Sequence, residues 1–355
     1  TKKILFTSGG TGGHIFPAIN LMNFFYKKGH QVVLVTDNRG YKFLKEYPNL
    51  KSNIIKTDTP TNKNFFKKIY SFINIVFAIF RSILILKKEK PNLVIGFGGY
   101  VSFPLCFATR FYKIPLVIYE NNIVIGKTNK SLMGLSKKVL LSKKVKDFPI
   151  NYENKFYIVG NILKEEVLKF SNYKKKSDIF SILVLGGSQG AEIFGKIIPE
   201  AIKIIKDKGY KIEIYQQCIS EQQLTLENFY DKNNIKNNIF SFSSDLVKLY
   251  SSVDLAITRS GASTTAELLH TAIPFVAVPY PYSIDNHQHL NAKYYQDIGC
   301  CWVLEQNNFN KQSLSELIIN ILEDNKQLIN IQTNMKENTI NNVYDKVEEA
   351  LKEFI

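Results

Sequence analysis

The chain has 355 residues, 45% hydrophobic and 22% charged; at roughly 150 residues per domain this predicts two domains and excludes a disordered or collagen-like chain. Four cysteines (Cys106, Cys218, Cys300, Cys301) form no CxxC pair, which argues against a disulfide framework or a structural zinc site and for a reducing compartment. The net charge of +15 rests on 42 lysines and only four arginines (Arg39, Arg81, Arg110, Arg259), so it reflects lysine bias as much as a polyanionic partner, and the rarity of arginine adds weight to Arg259.

Residues 3–7 are an apolar strand that runs at once into Ser8-Gly9-Gly10-Thr11-Gly12-Gly13-His14, unlike a signal peptide. A helix is predicted over 17–28, closed by Gly29, and then buried-type strands over 31–36, 93–97 and 116–119. The last two end in Gly98-Gly99-Tyr100 and Glu120-Asn121-Asn122. The scheme then restarts. A strand over 181–185 meets Gly186-Gly187-Ser188-Gln189-Gly190, and further strands follow over 211–215, 255–258 and 275–278. Short apolar strands alternating with helices predict an α/β fold of two tandem Rossmann-like domains with parallel sheets, 1–160 and 161–338. A C-terminal helix at about 339–355 can pack on either domain. Residues 69–86 have the length of a membrane span, but Arg81 makes a lipid-crossing role expensive. Ser71, Asn74, Ala78, Arg81 and Ser82 share one helix face, and Lys63, Lys67, Lys68, Lys87, Lys88 and Lys90 flank the segment. It reads either as a core helix covering a sheet or as a helix whose apolar face meets anionic lipid.

Several loops at strand ends carry chemistry. Glycines after a first strand let backbone approach a ligand, and helix N-terminal amides attract phosphate. The dinucleotide pattern GxGxxG fails, because Ile15 stands where its third glycine belongs, although Asp37 could still imitate a ribose-binding acid. His14 opens a helix, whose positive dipole end favours the neutral, proton-accepting ring; its bland alternative is a structural hydrogen bond. In Arg259-Ser260-Gly261-Ala262-Ser263-Thr264-Thr265-Ala266-Glu267, the Thr264-x-x-Glu267 spacing fits a capping box. It equally fits a diphosphate cradle with Glu267 on ribose hydroxyls. Polar residues from Asp285 to Asn291 follow Pro279-Tyr280-Pro281 at a strand's carboxyl end, where open α/β sheets bind ligands. No Asp-x-Asp pair or Walker lysine is present, so no metal or other cofactor is expected, and the cysteines read as packing.

Taken together, Gly9–His14, Gly98-Gly99-Tyr100, Glu120-Asn121-Asn122, Gly186–Ala191, Arg259–Ala262 and His287-Gln288…Asn291-Ala292 occur in the order of one family. The chain resembles, over nearly its whole length, the MurG family of peptidoglycan glycosyltransferases, which convert lipid I to lipid II. The resemblance implies a GT-B fold, two Rossmann-like domains facing a central cleft. It implies inverting transfer of N-acetylglucosamine from UDP-GlcNAc to the muramoyl 4-hydroxyl of undecaprenyl-linked lipid I. By motif position it puts Ser188, Arg259, Ser243, Ala262, Ser263, Thr264, Thr265, Ala266, Glu267 and Gln288 on the donor. Thr11, Gly12, Gly13 and Asn122 would reach the donor sugar, and Lys164 would add a donor contact. Gly10, Gly99 and Tyr100 would meet the acceptor diphosphate. The general base is His14 or Glu120. The resemblance further implies a peripheral enzyme on the cytoplasmic face of the bacterial inner membrane. There it would touch anionic phospholipid and work with other cell-wall enzymes in cell shape and division.

Two departures stand out. The family's His-Glu-Gln-Asn is Tyr119-Glu120-Asn121-Asn122 here, and its Gly-Asn-Pro-x-Arg is Gly160-Asn161-Ile162-Leu163-Lys164. Lysine keeps the charge but loses the bidentate fork. Three rival readings remain open at this point: a UDP-sugar epimerase of the same fold, a nicotinamide oxidoreductase, and a non-catalytic basic protein. The ordered motifs point away from the last and from nucleic acid.

Overall fold

A computed structural model describes every residue except 58–64, 146–149, 171–177, 188–190, 242 and 244–245, together with the side chains of 65–68. The chain forms two compact units, Thr1–Leu163 with Ile340–Ile355, and Lys164–Thr339. The expected division after residue 160 falls three residues later. Ile162 and Leu163 are buried with the first unit, and the Leu163 carbonyl accepts the Tyr344 hydroxyl at 2.7 Å.

The first unit carries seven parallel strands: β1 (Lys3–Thr7), β2 (Gln31–Thr36), β3 (Lys51–Ile54), β4 (Leu93–Gly96), β5 (Leu116–Glu120), β6 (Lys138–Leu141) and β7 (Phe156–Ile158). Their order is β3-β2-β1-β4-β5-β6-β7, in register from Ile4 opposite Val32 and Leu93. Alternate residues of β1 enter opposite layers. Ile4 and Phe6 pack on the helix Gly12–Lys27 and the C-terminal helix Val343–Leu351, while Leu5 packs with Leu105 and Ala108 of the helix Ser102–Tyr112. Both faces are covered, which is why the strands read as continuous apolar runs. The C-terminal helix belongs to the first unit through Val343, Val347 and Leu351, a Phe24–Tyr344 stack at 4.4 Å and a Lys28–Glu348 ion pair.

The second unit repeats the plan with six parallel strands: β8 (Phe180–Leu185), β9 (Ile212–Gln217), β10 (Lys236–Phe240), β11 (Leu255–Thr258), β12 (Phe275–Ala277) and β13 (Cys301–Val303). They run in the order β10-β9-β8-β11-β12-β13. Ile182 and Val184 face one layer, Leu183 and Leu185 the other. In each unit the chain leaves its first strand in one direction and later returns to build outward in the other. The reversal points lie between β1 and β4 and between β8 and β11, and open α/β sheets bind ligands outside the carboxyl ends of such pairs.

The membrane-length segment lies within the helix Phe65–Glu89, and its stretch Ile69–Glu89 is long and apolar enough to cross a bilayer. Its amphipathicity is turned inside out. Ser71, Ala78 and Ser82 are fully buried, with the Ser82 hydroxyl donating to the Ala78 carbonyl, whereas Phe72, Phe77 and Phe80 are 66%, 65% and 59% exposed. The core-helix reading therefore fails for the aromatic side, and Arg81 is exposed rather than on the buried face. Phe111 and Tyr112, at the end of the neighbouring helix Ser102–Tyr112, are also exposed. Lys63 lies outside the described residues, as do the side chains of Lys67 and Lys68.

Candidate active site

In the first unit, three loops converge at the carboxyl ends of β1 and β4. The Gly9 amide donates to the Gly98 carbonyl at 3.1 Å, so the two glycine loops are bound backbone to backbone. Gly98 and Gly99 both have positive φ (+83° and +75°), and a β-carbon on Gly99 would stand 3.0 Å from the Gly9 α-carbon. Only glycine satisfies both demands. Gly10 lies under the turn that follows β2, where a β-carbon would stand 2.6 Å from both Arg39 Cβ and the Gly40 nitrogen. Thr11 is the N-cap of the helix Gly12–Lys27, and His14 sits in its first turn. The imidazole lies against the same loop, its Cε1 3.2 Å from where a Gly98 β-carbon would be. His14, Gly10, Gly12, Gly13, Gly99 and Tyr100 are thus brought together.

Asp37 does something other than imitate a ribose acid. It caps the turn Asn38–Tyr41, accepting the Gly40 amide at 2.9 Å, and pairs with Arg39 at 2.8 Å. Arg39 also donates to the Tyr100 hydroxyl at 2.7 Å. This tie between the second-strand loop and Tyr100 escaped the sequence reading; the scarcity of arginine was the signal that could have found it.

Glu120 is buried at the end of β5, and both its oxygens are occupied. Oε1 accepts the Asn122 backbone and side-chain amides at 3.0 and 3.1 Å, and Oε2 accepts the Gly126 amide and the Asn129 side chain at 2.9 Å each. Asn122 is thereby fixed in the loop. Lys143, unremarked in the sequence, is buried nearby; burial pushes its ammonium down to about 7, against the pull of the Glu120 charge. Tyr119, the family's histidine position, is a buried strut. Its hydroxyl accepts the Ile162 amide at 3.1 Å and faces Asn121 Oδ1 and the Gly160 carbonyl at 3.2 Å each. Asn121 in turn donates to the Gly13 carbonyl at 3.3 Å, linking the glycine loop to the stretch that leaves the first unit.

In the second unit, the helix Ala262–Thr271 opens directly after β11 with Gly261 as N-cap. That placement overturns the capping-box alternative: Thr264 and Glu267 sit inside the helix, too far along to cap it. Thr265 instead donates back to the Gly261 carbonyl at 3.0 Å. Ala262, Thr265 and Ala266 are buried, Ser263 and Thr264 half-buried. The buried Ser260 hydroxyl, beside this helix start, has no hydrogen-bond partner among the described residues. Arg259 is only 8% exposed. Its Nη1 donates to the Val278 and Pro279 carbonyls at 3.0 and 3.3 Å and its Nη2 to Gln306 at 2.7 Å, with the Phe194 and Tyr280 rings at 4.9 and 5.4 Å. Burial lowers this guanidinium to about 10, so it stays charged at neutral pH.

Glu267 receives the Tyr250 hydroxyl at 2.6 Å. Burial raises its carboxyl, while the Tyr250 hydrogen bond and the Lys164 charge act the other way. Lys164 therefore belongs to the Glu267 neighbourhood. Gln288 follows two residues of positive φ, Asp285 and Asn286, and its Oε1 accepts the Tyr280 amide at 3.0 Å. Ser243 is half-buried, and Ser188 lies outside the described residues. The four cysteines are buried and unpaired.

Residues 4–141 match the glycosyltransferase family 28 N-terminal domain, and residues 181–350 its C-terminal domain. A protein of Pelagibacter ubique (strain HTCC1062) named UDP-N-acetylglucosamine–N-acetylmuramyl-(pentapeptide) pyrophosphoryl-undecaprenol N-acetylglucosamine transferase is 37% identical over 99% of each chain. One of the same name from Rickettsia bellii (strain RML369-C) is 34% identical over 94% of each. The crystal structure of Acinetobacter baumannii MurG superposes with a TM-score of 0.80 at 27% identity, covering 99% of this chain and 100% of that one. The S. aureus MnaA–UDP co-structure, at 14% identity and a TM-score of 0.67 over 100% and 97% of the two chains, shares the fold alone.

Proposed function

The chain belongs to the glycosyltransferase family 28 enzymes that form lipid II, moving N-acetylglucosamine from UDP-N-acetylglucosamine to undecaprenyl-diphosphate-linked muramoyl pentapeptide, and we propose that the sugar goes to the muramoyl 4-hydroxyl with inversion. The first unit takes the acceptor and the second the nucleotide sugar. The hydroxyl oxygen attacks the anomeric carbon and its proton passes to the His14 ring. The bond from that carbon to the diphosphate breaks, and UDP leaves with the electron pair. The observation that carries this assignment is the His14 imidazole at a helix start, held against the bare Gly98–Gly99 backbone. Glu120, the other candidate base, spends both oxygens on four donors and serves to fix Asn122.

Gly10, Gly99 and Tyr100 flank the acceptor diphosphate. Thr11, Gly12, Gly13 and Asn122 reach the donor sugar, and Gln288 keeps its amide NH₂ for the same sugar. The start of the helix Ala262–Thr271, with Ser188, Ser243 and the Ser260 hydroxyl, receives the nucleotide and its diphosphate. Arg259 acts there as a buried positive charge, held in place by Nη1 bonds to the Val278 and Pro279 carbonyls and an Nη2 bond to Gln306. Charge developing on the leaving UDP is met by these groups, so transfer is expected to survive chelation of divalent cations. The exposed aromatic face of the helix Phe65–Glu89, with Lys87, Lys88 and Lys90 at one end, supports a peripheral position on anionic lipid at the cytoplasmic face of a bacterial inner membrane.

The test is transfer of radiolabelled N-acetylglucosamine from its UDP ester to a lipid I analogue, with His14→Ala alongside. Loss of at least roughly 100-fold in turnover with UDP affinity retained is expected for a general base. Near-normal turnover in the variant would remove His14 from the chemistry.

A further inference from the structure

Tyr250 closes the helix Leu246–Tyr250 and is fully buried among Leu183, Leu268 and Phe275, with the Phe170 ring edge-on at 6.2 Å. Nothing about this apolar setting needs a hydroxyl, yet the hydroxyl is there and donates to Glu267 Oε2 at 2.6 Å. The polarity of that bond is fixed. Burial and the neighbouring carboxylate push the Tyr250 phenol far up, so it remains a donor throughout the working range. The bond therefore pins one carboxylate oxygen, fixes the side-chain torsions of Glu267 and leaves Oε1 to accept from a ligand. It also opposes the burial that raises the Glu267 carboxyl, helping to keep the acceptor ionised.

We propose that Tyr250 is a positioning residue that aims Glu267 at the vicinal hydroxyls of the ribose, and so sets the preference of the second unit for a ribonucleoside diphosphate over its 2′-deoxy counterpart. The proposal rests on the reading that Glu267 takes the ribose. A carboxylate free to rotate would give up part of its hydrogen bond to each hydroxyl. A ligand lacking the 2′-hydroxyl keeps only the 3′-hydroxyl bond, so it has less to lose when the carboxylate is loosened.

The experiment is calorimetric titration of the full chain with UDP and with 2′-deoxy-UDP, for the wild type, Tyr250→Phe, Glu267→Gln and the double variant. Phenylalanine keeps the buried ring, so circular dichroism should match the wild type. The wild type should bind UDP roughly 10- to 100-fold more tightly than 2′-deoxy-UDP, the range of a hydrogen bond to a charged group. In Tyr250→Phe, UDP affinity should fall about tenfold and 2′-deoxy-UDP affinity, with one of the two hydroxyls left, by clearly less. KM for the donor should rise with little change in kcat. On acidification UDP affinity should fail at a higher pH than in the wild type, because the lost donor no longer opposes protonation of Glu267. In the Glu267→Gln background, Tyr250→Phe should add little. Equal weakening of both ligands, or none, in a variant of a wild type that does discriminate would overturn the role of Tyr250 alone. A wild type that binds both equally would overturn the ribose assignment of Glu267 itself.

Discussion

Tyr119→Phe removes one oxygen from the interior of the first unit, and the structure says what that oxygen does. The ring is buried beside Phe97 at a centroid distance of 5.5 Å, and phenylalanine fills the same space. What is lost is the acceptor for the Ile162 amide, at 3.1 Å, and the single proton directed at Asn121 Oδ1 and the Gly160 carbonyl. Ile162 is buried, so its N–H is left without a partner; such a group costs about 1–3 kcal/mol. A central value of about 2 kcal/mol corresponds to roughly 30-fold faster exchange of that amide by local opening. Hydrogen exchange read by mass spectrometry over a peptide containing residues 160–163 measures it directly. A second readout confines the effect. The only tryptophan, Trp302, lies in β13 of the second unit, so its fluorescence transition in urea should stay in place while the first unit's transition moves. Unchanged exchange around Ile162, or an equal shift of the Trp302 transition, would refute the strut.

Three further outcomes follow from the geometry. Gly10→Ala forces a β-carbon against Asp37, Arg39 Cβ and the Gly40 nitrogen, an overpacking worth about 1–3 kcal/mol; KM for the lipid acceptor should rise while UDP affinity, measured by titration, holds. Lys143 titrates near 7 when folded and near 10.4 when unfolded, so the unfolded chain binds the extra proton between those values and stability rises with pH across that window. Lys143→Met should accordingly stabilise the first unit more at about pH 6 than at about pH 9, and an identical urea-midpoint shift at both would contradict the buried charge. Phe72 and Phe77 are mostly exposed, so with both replaced by serine cosedimentation with anionic vesicles should drop at least roughly tenfold while transfer to a short-chain, water-soluble acceptor is kept; loss of both together would point to misfolding instead.

The strands that the sequence declares are those with neighbours on both sides. β1, β2, β4, β5, β8, β9, β11 and β12 have two partners each, and their runs of valine, isoleucine and leucine reflect burial on two faces. β3, β7, β10 and β13 are edges with one partner. Lys51–Ile54 and Lys236–Phe240 carry lysine and asparagine because one side meets solvent, which erases the apolar run a reader looks for. β6 has two neighbours, but it opens on Lys138 directly after Lys137, and that pair of charges masks its apolar run Val139–Leu141.

The candidate site was legible where glycines shape the backbone and illegible where one side chain serves another. Glycine clusters at strand ends announce themselves, because glycine takes the positive φ of Gly98 and Gly99 without steric cost and leaves room for the Gly9 backbone. A tyrosine that reaches 17 residues along the chain to a carboxylate, as Tyr250 does to Glu267, has no local pattern at all. Glu120 shows the converse difficulty. Its motif marks it as a candidate for chemistry, and nothing in the motif announces the four donors that occupy its oxygens. The helix Phe65–Glu89 joins both lessons. Its periodicity correctly grouped Ser71, Ala78 and Ser82 on one face, but the assumption that the apolar face turns inward belongs to proteins surrounded by water on every side. A helix that buries serines beside Ala78 and Leu86 and exposes phenylalanines leaves apolar area in contact with water, and the proposed lipid contact would remove that cost.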